Sequence, residues 1–217
     1  MREVPDAHPW VLKAVAFPVL RVVVWLILAV FGAPMRALGR RRVPRKGALL
    51  VLSNHISNID PVAVQWSCPR VVHFMARKSL FDMKGIGPFM RWWRAFPVVQ
   101  TSADTGALKT ALALLGQGRA VALFPEGQLS PDGRLIELQP GVALIARKSG
   151  APVVCVGLQG TNGVMPCPSQ KPRWSGRPVV ATWGEPRVFG KDASVDEVMG
   201  WVRSELSRLN GQDPDLL

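Results

Sequence analysis

The apolar residues of this chain form short continuous runs, separated by stretches with helical spacing. Runs rich in Val and Leu predict strands covered on both faces, because a half-exposed strand would alternate polar and apolar residues. Such runs occupy residues 48–53, 71–76, 96–100, 120–124, 152–158 and 178–183. Apolar spacings of three and four predict helices over residues 61–67, 86–94, 104–117, 140–149 and 194–210. This alternation predicts an α/β fold with a central mixed, largely parallel sheet flanked by helices.

One apolar segment near the start of the chain does not fit this alternation. Val22–Phe31 contains ten apolar residues in a row, and six cations follow between Arg36 and Lys46. A helix that is apolar on every side must be buried in protein or lipid. Cations beside such a run are typical of the cytoplasmic side of a membrane, where they attract anionic lipid.

This segment allows several interpretations. A signal peptide would need a cleavage site and no cationic block after the apolar run. A complete span is awkward because Pro18 and Gly32 limit the helix, and a soluble core helix leaves the cations unexplained. The pattern favours a broken, membrane-immersed helical segment with a basic collar over residues 1–46. An α/β domain facing the cytoplasm is predicted over residues 47–217.

The chain has 217 residues and a net charge of +12, and that charge is polarised. Residues 1–94 carry 15 basic and 4 acidic residues, whereas residues 95–217 carry 12 and 11. Positive charge that is concentrated in one part of the chain indicates an anionic partner, either a membrane surface or a nucleic acid. The three cysteines are far apart and form no CxxC pair, so neither a zinc site nor a disulfide framework is predicted. We expect no metal and no cofactor.

The first chemical signal is a polar segment directly after the first predicted strand. It contains His55, which can accept a proton near neutral pH, and Asp60 five residues later. A carboxylate on the second ring nitrogen would fix the tautomer of the imidazole and stabilise the imidazolium. Asp60 also precedes Pro61, which is the pattern of a helix N-cap, and the two roles are compatible.

The second signal follows the predicted strand 120–124, where the sequence reads Pro-Glu-Gly. Glu126 at the end of a buried strand implies a partner, either a substrate hydroxyl or a basic group, because buried Glu is rarely unpaired. By itself the segment is equally typical of a β-turn with a surface acid.

Together, NHISNID over residues 54–60 and FPEG over residues 124–127 resemble the glycerolipid acyltransferases, the lysophosphatidate acyltransferase family. The resemblance runs from about residue 45 to 160 and includes the apolar strand Ala151–Gly157. It implies a 1-acylglycerol-3-phosphate acyltransferase-like enzyme, in which an acceptor hydroxyl of a lipid attacks an acyl thioester. The acyl donor would be acyl-ACP or acyl-CoA.

The resemblance also implies roles for individual residues. His55 would be the general base, and Asp60 would orient it. The acceptor would be held by Glu126, Gly127 and Lys78. In the same loop as the base, Asn54 and Ser57 are candidates for stabilising the oxyanion or supporting the loop.

Several positions depart from the family pattern. The family places cations where this chain has Gln100, Leu129 and Gln139, and it places a proline where this chain has Cys155. Glutamine and leucine cannot replace a bidentate arginine–phosphate contact. Either the acceptor is a non-phosphate lipid, such as a glycolipid or amino lipid, or the charge has moved to Lys78 or Arg134.

The stretch Arg70–Phe96 interleaves cations with aromatic residues, which is typical of nucleic-acid binding, of a membrane interface or of an acidic carrier's docking face. A non-enzymatic basic protein that binds membranes or nucleic acid is therefore the rival function. Such a protein has no use for His55 and Asp60 at a strand end. We expect an anionic membrane surface as partner, and no nucleic acid.

Overall fold

The computed structural model describes residues 17–99, 105–169 and 171–212, which form a seven-stranded sheet with helices on both faces. The strands are β1 (Met35–Leu38), β2 (Leu49–Ser53), β3 (Val72–Arg77), β4 (Phe96–Val98), β5 (Ala120–Leu123), β6 (Val153–Gln159) and β7 (Val179–Trp183). The helices are α1 (Phe17–Val30), α2 (Asp60–Ser67), α3 (Lys78–Asp82), α4 (Ile86–Trp92), α5 (Thr105–Gly116), α6 (Gly141–Ser149), α7 (Thr161–Val164) and α8 (Val195–Leu209).

The strand order across the sheet is β1-β7-β6-β2-β5-β3-β4. All neighbouring pairs are parallel except β6 and β7, so β1 and β7 run opposite to the other five strands. Strands β6, β2, β5 and β3 are consecutive and parallel, and their carboxyl ends therefore meet at one edge, named here the carboxyl edge. Ligand sites of open α/β sheets form outside this edge.

The side chains of β2 show how the two cores are built. Leu50 and Leu52 pack with helices α5, α6 and α8, whereas Leu49 and Val51 pack on the opposite face with α1 and α2. Successive side chains of a strand point to opposite faces, and these four are fully buried. The continuous apolar run arises because both faces of the central strand are covered.

The predicted fold class is confirmed, and all six predicted strands and five predicted helices appear within a few residues of their expected bounds. Residues 100–104, which include the predicted end of the third strand, lie outside the described residues.

The predicted division at residue 46 needs a correction. Met35–Leu38 pairs in parallel with residues 179–182 of β7 and forms an edge strand of the sheet. Val43 is also buried in the core on the α1–α2 face. Residues 35–46 are therefore part of the α/β domain, because their backbone and apolar side chains complete its sheet and core.

Helix α1 is the part of the predicted anchor that precedes the sheet in the described residues. Its 14 residues rise about 21 Å, against about 30 Å for the hydrocarbon core of a bilayer. Among the described residues, no helix combines the length and the apolar character that a membrane crossing requires. Leu28 packs into the core, whereas the outer face of α1 exposes Val19, Val22, Val23, Trp25, Leu26, Ile27 and Val30.

Candidate active site

His55 and Asp60 meet at the carboxyl end of β2. Nδ1 of His55 lies 2.9 Å from Oδ2 of Asp60. Asp60 is completely buried, whereas 18% of the His55 side chain is exposed. With Nδ1 bonded to the carboxylate, Nε2 is the ring nitrogen left for an acceptor hydroxyl. The arrangement is that of a general base with an orienting acid.

The same carboxylate oxygen also organises the loop. Oδ2 of Asp60 accepts the backbone N–H groups of Ile56 at 2.6 Å and Ser57 at 2.7 Å. Asp60 is the first residue of α2, with Pro61 next, and Ile59 takes the N-cap position. The carboxylate of Asp60 bonds to the histidine loop and does not cap the helix, so of the two compatible roles the N-cap role is not realised.

Asn54 and Ser57 fasten this loop to β6 and to the segment that follows it. The side-chain amide of Asn54 donates to the carbonyl of Leu158 at 3.0 Å, and its carbonyl accepts the N–H of Leu158 at 2.7 Å. The hydroxyl of Ser57 donates to the carbonyl of Met165 at 2.8 Å. Both side chains are buried. These contacts assign them to support of the loop.

Glu126 lies in the interior, between the loops that follow β2 and β5. Its Oε1 accepts the backbone N–H of His55 at 2.7 Å, and its Oε2 accepts that of Ile136 at 3.2 Å. Only 2% of the residue is exposed. Burial raises the pKa of Glu126, while the two backbone N–H donors act in the opposite direction. The acceptor contact that the sequence suggests for Glu126 stays a prediction. In the structure, its two oxygens hold the backbone of the loop that carries His55.

The loop after β5 is bound directly to the histidine loop. The N–H of Ser130 donates to the carbonyl of His55 at 2.7 Å, and that of Gln139 donates to the carbonyl of Pro125 at 2.7 Å. Gly127 has φ of +70°, a conformation that glycine adopts without strain. Gly127 thus lets the chain turn sharply next to the base.

Phe124 is a site residue that the sequence reasoning missed. Its ring stacks on the imidazole of His55, with centroids 4.0 Å apart and planes inclined by 20°. The stack and the bond to Asp60 together restrict the ring to one orientation. The sequence could have indicated a place in the site for Phe124, because it directly precedes Pro125 and Glu126.

Lys78 and Arg134, the cations that the sequence analysis names as candidate ligands of the acceptor, lie on exposed parts of the carboxyl edge. Lys78 begins α3 at the end of β3, and Arg134 lies in the loop after β5. Both side chains are exposed. Leu129 and Gln139 occupy that same loop without charge, and Gln100 lies outside the described residues.

Cys68 and Cys155 are buried thiols without a disulfide partner. Burial raises the pKa of Cys68 to about 11 and raises that of Cys155 as well. Both thiols are protonated near neutral pH, and a thiol is a poor nucleophile. In the described part of the chain, no group of His, Cys, Asp and Glu is arranged to hold a metal ion.

A third loop, which sequence did not single out, completes the carboxyl edge. Residues 160–178 connect β6 to β7 and contain α7. This loop touches the histidine loop through Met165 and Ser57. It also approaches the β5 loop, because a Cβ on Gly133 would lie 3.1 Å from Nδ2 of Asn162.

A partly exposed base, a buried orienting acid and a loop held by a second buried acid are suited to deprotonating a hydroxyl. Residues 35–159 match the sequence profile of the Acyltransferase family. The chain belongs to this family. The match begins at the first residue of β1, which agrees with its place in the sheet.

Two acyltransferases are similar to this chain in sequence, and the match covers a different share of each. The chain is 29% identical over 138 residues to the 1-acyl-sn-glycerol-3-phosphate acyltransferase of Bacillus subtilis, which covers 63% of this chain and 68% of that protein. It is 33% identical over 121 residues to a chloroplastic 1-acyl-sn-glycerol-3-phosphate acyltransferase of Brassica napus. That match covers 55% of this chain and only 35% of the plant protein.

The fold is also found in a solved structure. The crystal structure of the 1-acyl-sn-glycerophosphate acyltransferase from Thermotoga maritima superposes with a TM-score of 0.71. The match covers 91% of this chain and 83% of that chain, at 22% sequence identity. At this identity the likeness supports the fold.

Proposed function

We propose that this acyltransferase transfers an acyl chain from an acyl thioester to the free hydroxyl of a 1-acylglycerol-3-phosphate. The observation that carries the proposal is the contact of 2.9 Å between Nδ1 of His55 and Oδ2 of Asp60 at the carboxyl edge. The names of the similar proteins support the choice of acceptor.

The reaction begins with removal of a proton from the acceptor hydroxyl. Nε2 of His55 takes this proton as the oxygen attacks the carbonyl carbon of the thioester. The tetrahedral intermediate then collapses, the C–S bond breaks, and the imidazolium returns its proton to the departing thiolate. Because a thioester is already activated, general-base catalysis worth about 10²- to 10⁴-fold and alignment of the reactants are the main requirements.

Asp60 supports this role through charge and position. Its carboxylate faces Nδ1, so it favours the tautomer that leaves Nε2 free to accept a proton. It also stabilises the imidazolium that forms during attack. Two backbone N–H groups hold the carboxylate in place, so His55 and Asp60 keep their geometry before the acceptor arrives.

We also propose that the protein works at the cytoplasmic surface of a membrane. The exposed apolar face of α1 would be immersed, and cations such as Arg36, Arg41 and Lys46 are exposed beyond it. Apolar burial and attraction to anionic lipid add to each other in interfacial helices. A lipid acceptor is delivered most directly at such a surface.

Acyl transfer to a panel of acceptors tests the proposal. Detergent-solubilised full-length protein is incubated with labelled acyl-ACP or acyl-CoA, and with lysophosphatidate, a lyso-glycolipid or a lyso-amino lipid. We expect transfer to lysophosphatidate with at least one donor. Transfer only to a non-phosphate lipid would refute the choice of acceptor. No transfer with any pair would refute the activity.

A further inference from the structure

The loop between β6 and β7 carries a cation that the sequence motifs do not include. Strand β6 lies next to β2 in the sheet and is parallel to it, so the segment after β6 leaves the sheet beside the histidine loop. Arg173 lies in this segment. In contrast, the β5 loop has Leu129 where the resemblance to the family leads us to expect a cation.

Arg173 is held in place by two hydrogen bonds to α7. Its backbone N–H donates to the carbonyl of Val164 at 2.8 Å, and its Nε donates to the carbonyl of Gly163 at 3.1 Å. Val164 is buried, and the next residue, Met165, accepts the hydroxyl of Ser57. A chain of short contacts thus connects Arg173 to the loop that carries the base.

The residues that follow Arg173 are anchored on the opposite side, to the end of α1. The N–H of Ser175 donates to the carbonyl of Phe31 at 2.9 Å. The ring of Trp174 covers Gly32 so closely that a Cβ there would lie 2.6 Å from a ring carbon. Arg173 therefore belongs to a segment that joins α7, whose neighbour Met165 contacts the histidine loop, to the end of the helix whose outer face is apolar.

The guanidinium of Arg173 has donors available for a ligand. The Nε–H is used by Gly163, whereas no hydrogen bond or ion pair to another described residue uses the two terminal nitrogens. The side chain is exposed. A guanidinium with one fixed edge presents its remaining N–H groups as a fork, which matches two oxygens of a phosphate.

We propose that Arg173 binds the phosphate of the acceptor and supplies the charge that the β5 loop lacks at Leu129. This inference rests on the proposed function, since it names the residue that selects a phosphate acceptor in the same reaction. In the segment that joins α7 to the end of α1, Arg173 is where the head group of a lipid would lie if its chain follows the apolar face of α1. Arg173 is thus a specificity-determining residue for the acceptor.

Steady-state kinetics with Arg173→Gln, Arg173→Lys and Arg177→Gln test this inference. Arg177 is an exposed arginine of the same loop and provides the matched control. For Arg173→Gln we expect the KM for lysophosphatidate to rise about 10- to 100-fold, with kcat changed much less, since a hydrogen bond to a charged group is lost. Arg173→Lys restores part of the affinity, and Arg177→Gln behaves like the wild type.

Two further measurements separate binding of phosphate from support of the loop. With 1-monoacylglycerol, which lacks the phosphate, wild type and Arg173→Gln should transfer acyl chains at equal rates. Adding Leu129→Arg to Arg173→Gln should lower the KM for lysophosphatidate again, because the cation returns to the β5 loop. A variant that merely misfolds would lose both activities and its thermal transition.

The outcomes also distinguish this inference from the proposed function. If the wild type uses lysophosphatidate and Arg173→Gln has an unchanged KM, the inference is overturned and the proposed function stands. The inference is likewise overturned if Arg173→Gln slows both acceptors equally, since this would mean a structural role. Failure of the wild type to use any acceptor would overturn the proposed function itself.

Discussion

The backbone N–H of His55 donates a hydrogen bond of 2.7 Å to Oε1 of Glu126, which lies 71 residues later in the chain. The second oxygen of that carboxylate holds Ile136. The two oxygens of the carboxylate each accept one backbone N–H, so one side chain holds two separate loop segments. Glu126 therefore fixes the backbone that presents the imidazole, and it does so from inside the protein.

Replacing Glu126 with Gln should change how folding stability depends on pH. Burial raises the pKa of Glu126 above its ordinary value of 4.5, so the folded protein holds this proton more tightly than the unfolded chain does. The stability it contributes is complete below pH 4.5 and is lost as the pH rises through the raised pKa. In Glu126→Gln, the free energy of unfolding should therefore fall less with rising pH than in the wild type.

Chemical denaturation in detergent at several pH values checks this expectation, with Glu137→Gln as the control. Glu137 is exposed and belongs to the same loop. The slope of the unfolding free energy against pH should differ between Glu126→Gln and the wild type. It should be the same in Glu137→Gln and the wild type. Identical slopes in all three proteins would contradict the assignment of a buried, proton-binding carboxylate.

His55→Ala should abolish acyl transfer, because the variant has no group at this position that accepts the hydroxyl proton. Asp60→Asn should lower kcat by about 10²- to 10⁴-fold, since an amide can neither fix the same tautomer nor stabilise the imidazolium. Both variants should keep their membrane association, which depends on other residues. Transfer by His55→Ala within tenfold of the wild type would refute the role of the imidazole.

Leu26→Asp should weaken binding to membranes. Leu26 is exposed on the outer face of α1, and removing a side chain of this size from lipid costs about 1.5–3 kcal/mol, or roughly 10- to 100-fold in partitioning. Val188→Asp is the control, since Val188 is also more than half exposed but lies elsewhere, in the connection between β7 and α8. Cosedimentation with phosphatidylglycerol and phosphatidylethanolamine vesicles measures the difference.

High salt should release little of the wild type from these vesicles, because screening does not affect apolar burial. Complete release by salt would mean that the attachment is only electrostatic. Point substitution is preferable to deletion of residues 1–46, since that deletion also removes β1 and exposes the edge of β7.

Gly157→Ala should destabilise the fold by about 1–3 kcal/mol, the usual cost of an added methyl group in a packed core. A Cβ at this position of β6 would lie 2.3 Å from the backbone of Leu209, at the end of α8. Gly116→Ala is the control, because Gly116 ends α5 with open space around it. Thermal unfolding should show a lower Tm for Gly157→Ala and no loss for Gly116→Ala.

Sequence predicted the central strands because their apolar runs reflect burial on both faces, which is a local signal. It missed β1, since MRAL is short, contains a charge and directly follows the stronger apolar run of α1. Its place in the sheet is decided by pairing with β7, which lies more than a hundred residues away. Such pairing has no local signature.

The site was predictable to the extent that its residues belong to one loop. His55 and Asp60 are five residues apart, and their contact follows from a single turn at the end of β2. The inward position of Glu126 depends on the register between two loops, so the sequence indicated a role in the site but not which atoms it binds. Arg173 belongs to no motif and reaches this edge only because β7 reverses the direction of the chain.

The hydrogen bonds between Asn54 and Leu158 have a consequence for when the site is completed during synthesis of the chain. The two residues are 104 positions apart, and their bonds join the end of β2 to β6. During synthesis, α1 and the histidine loop therefore leave the ribosome well before Leu158, the partner that fastens this loop, has been made. Until β6 is complete, the nascent chain has its base without the fastening that positions it. On the membrane attachment proposed above, α1 would reach the lipid before the active site is complete.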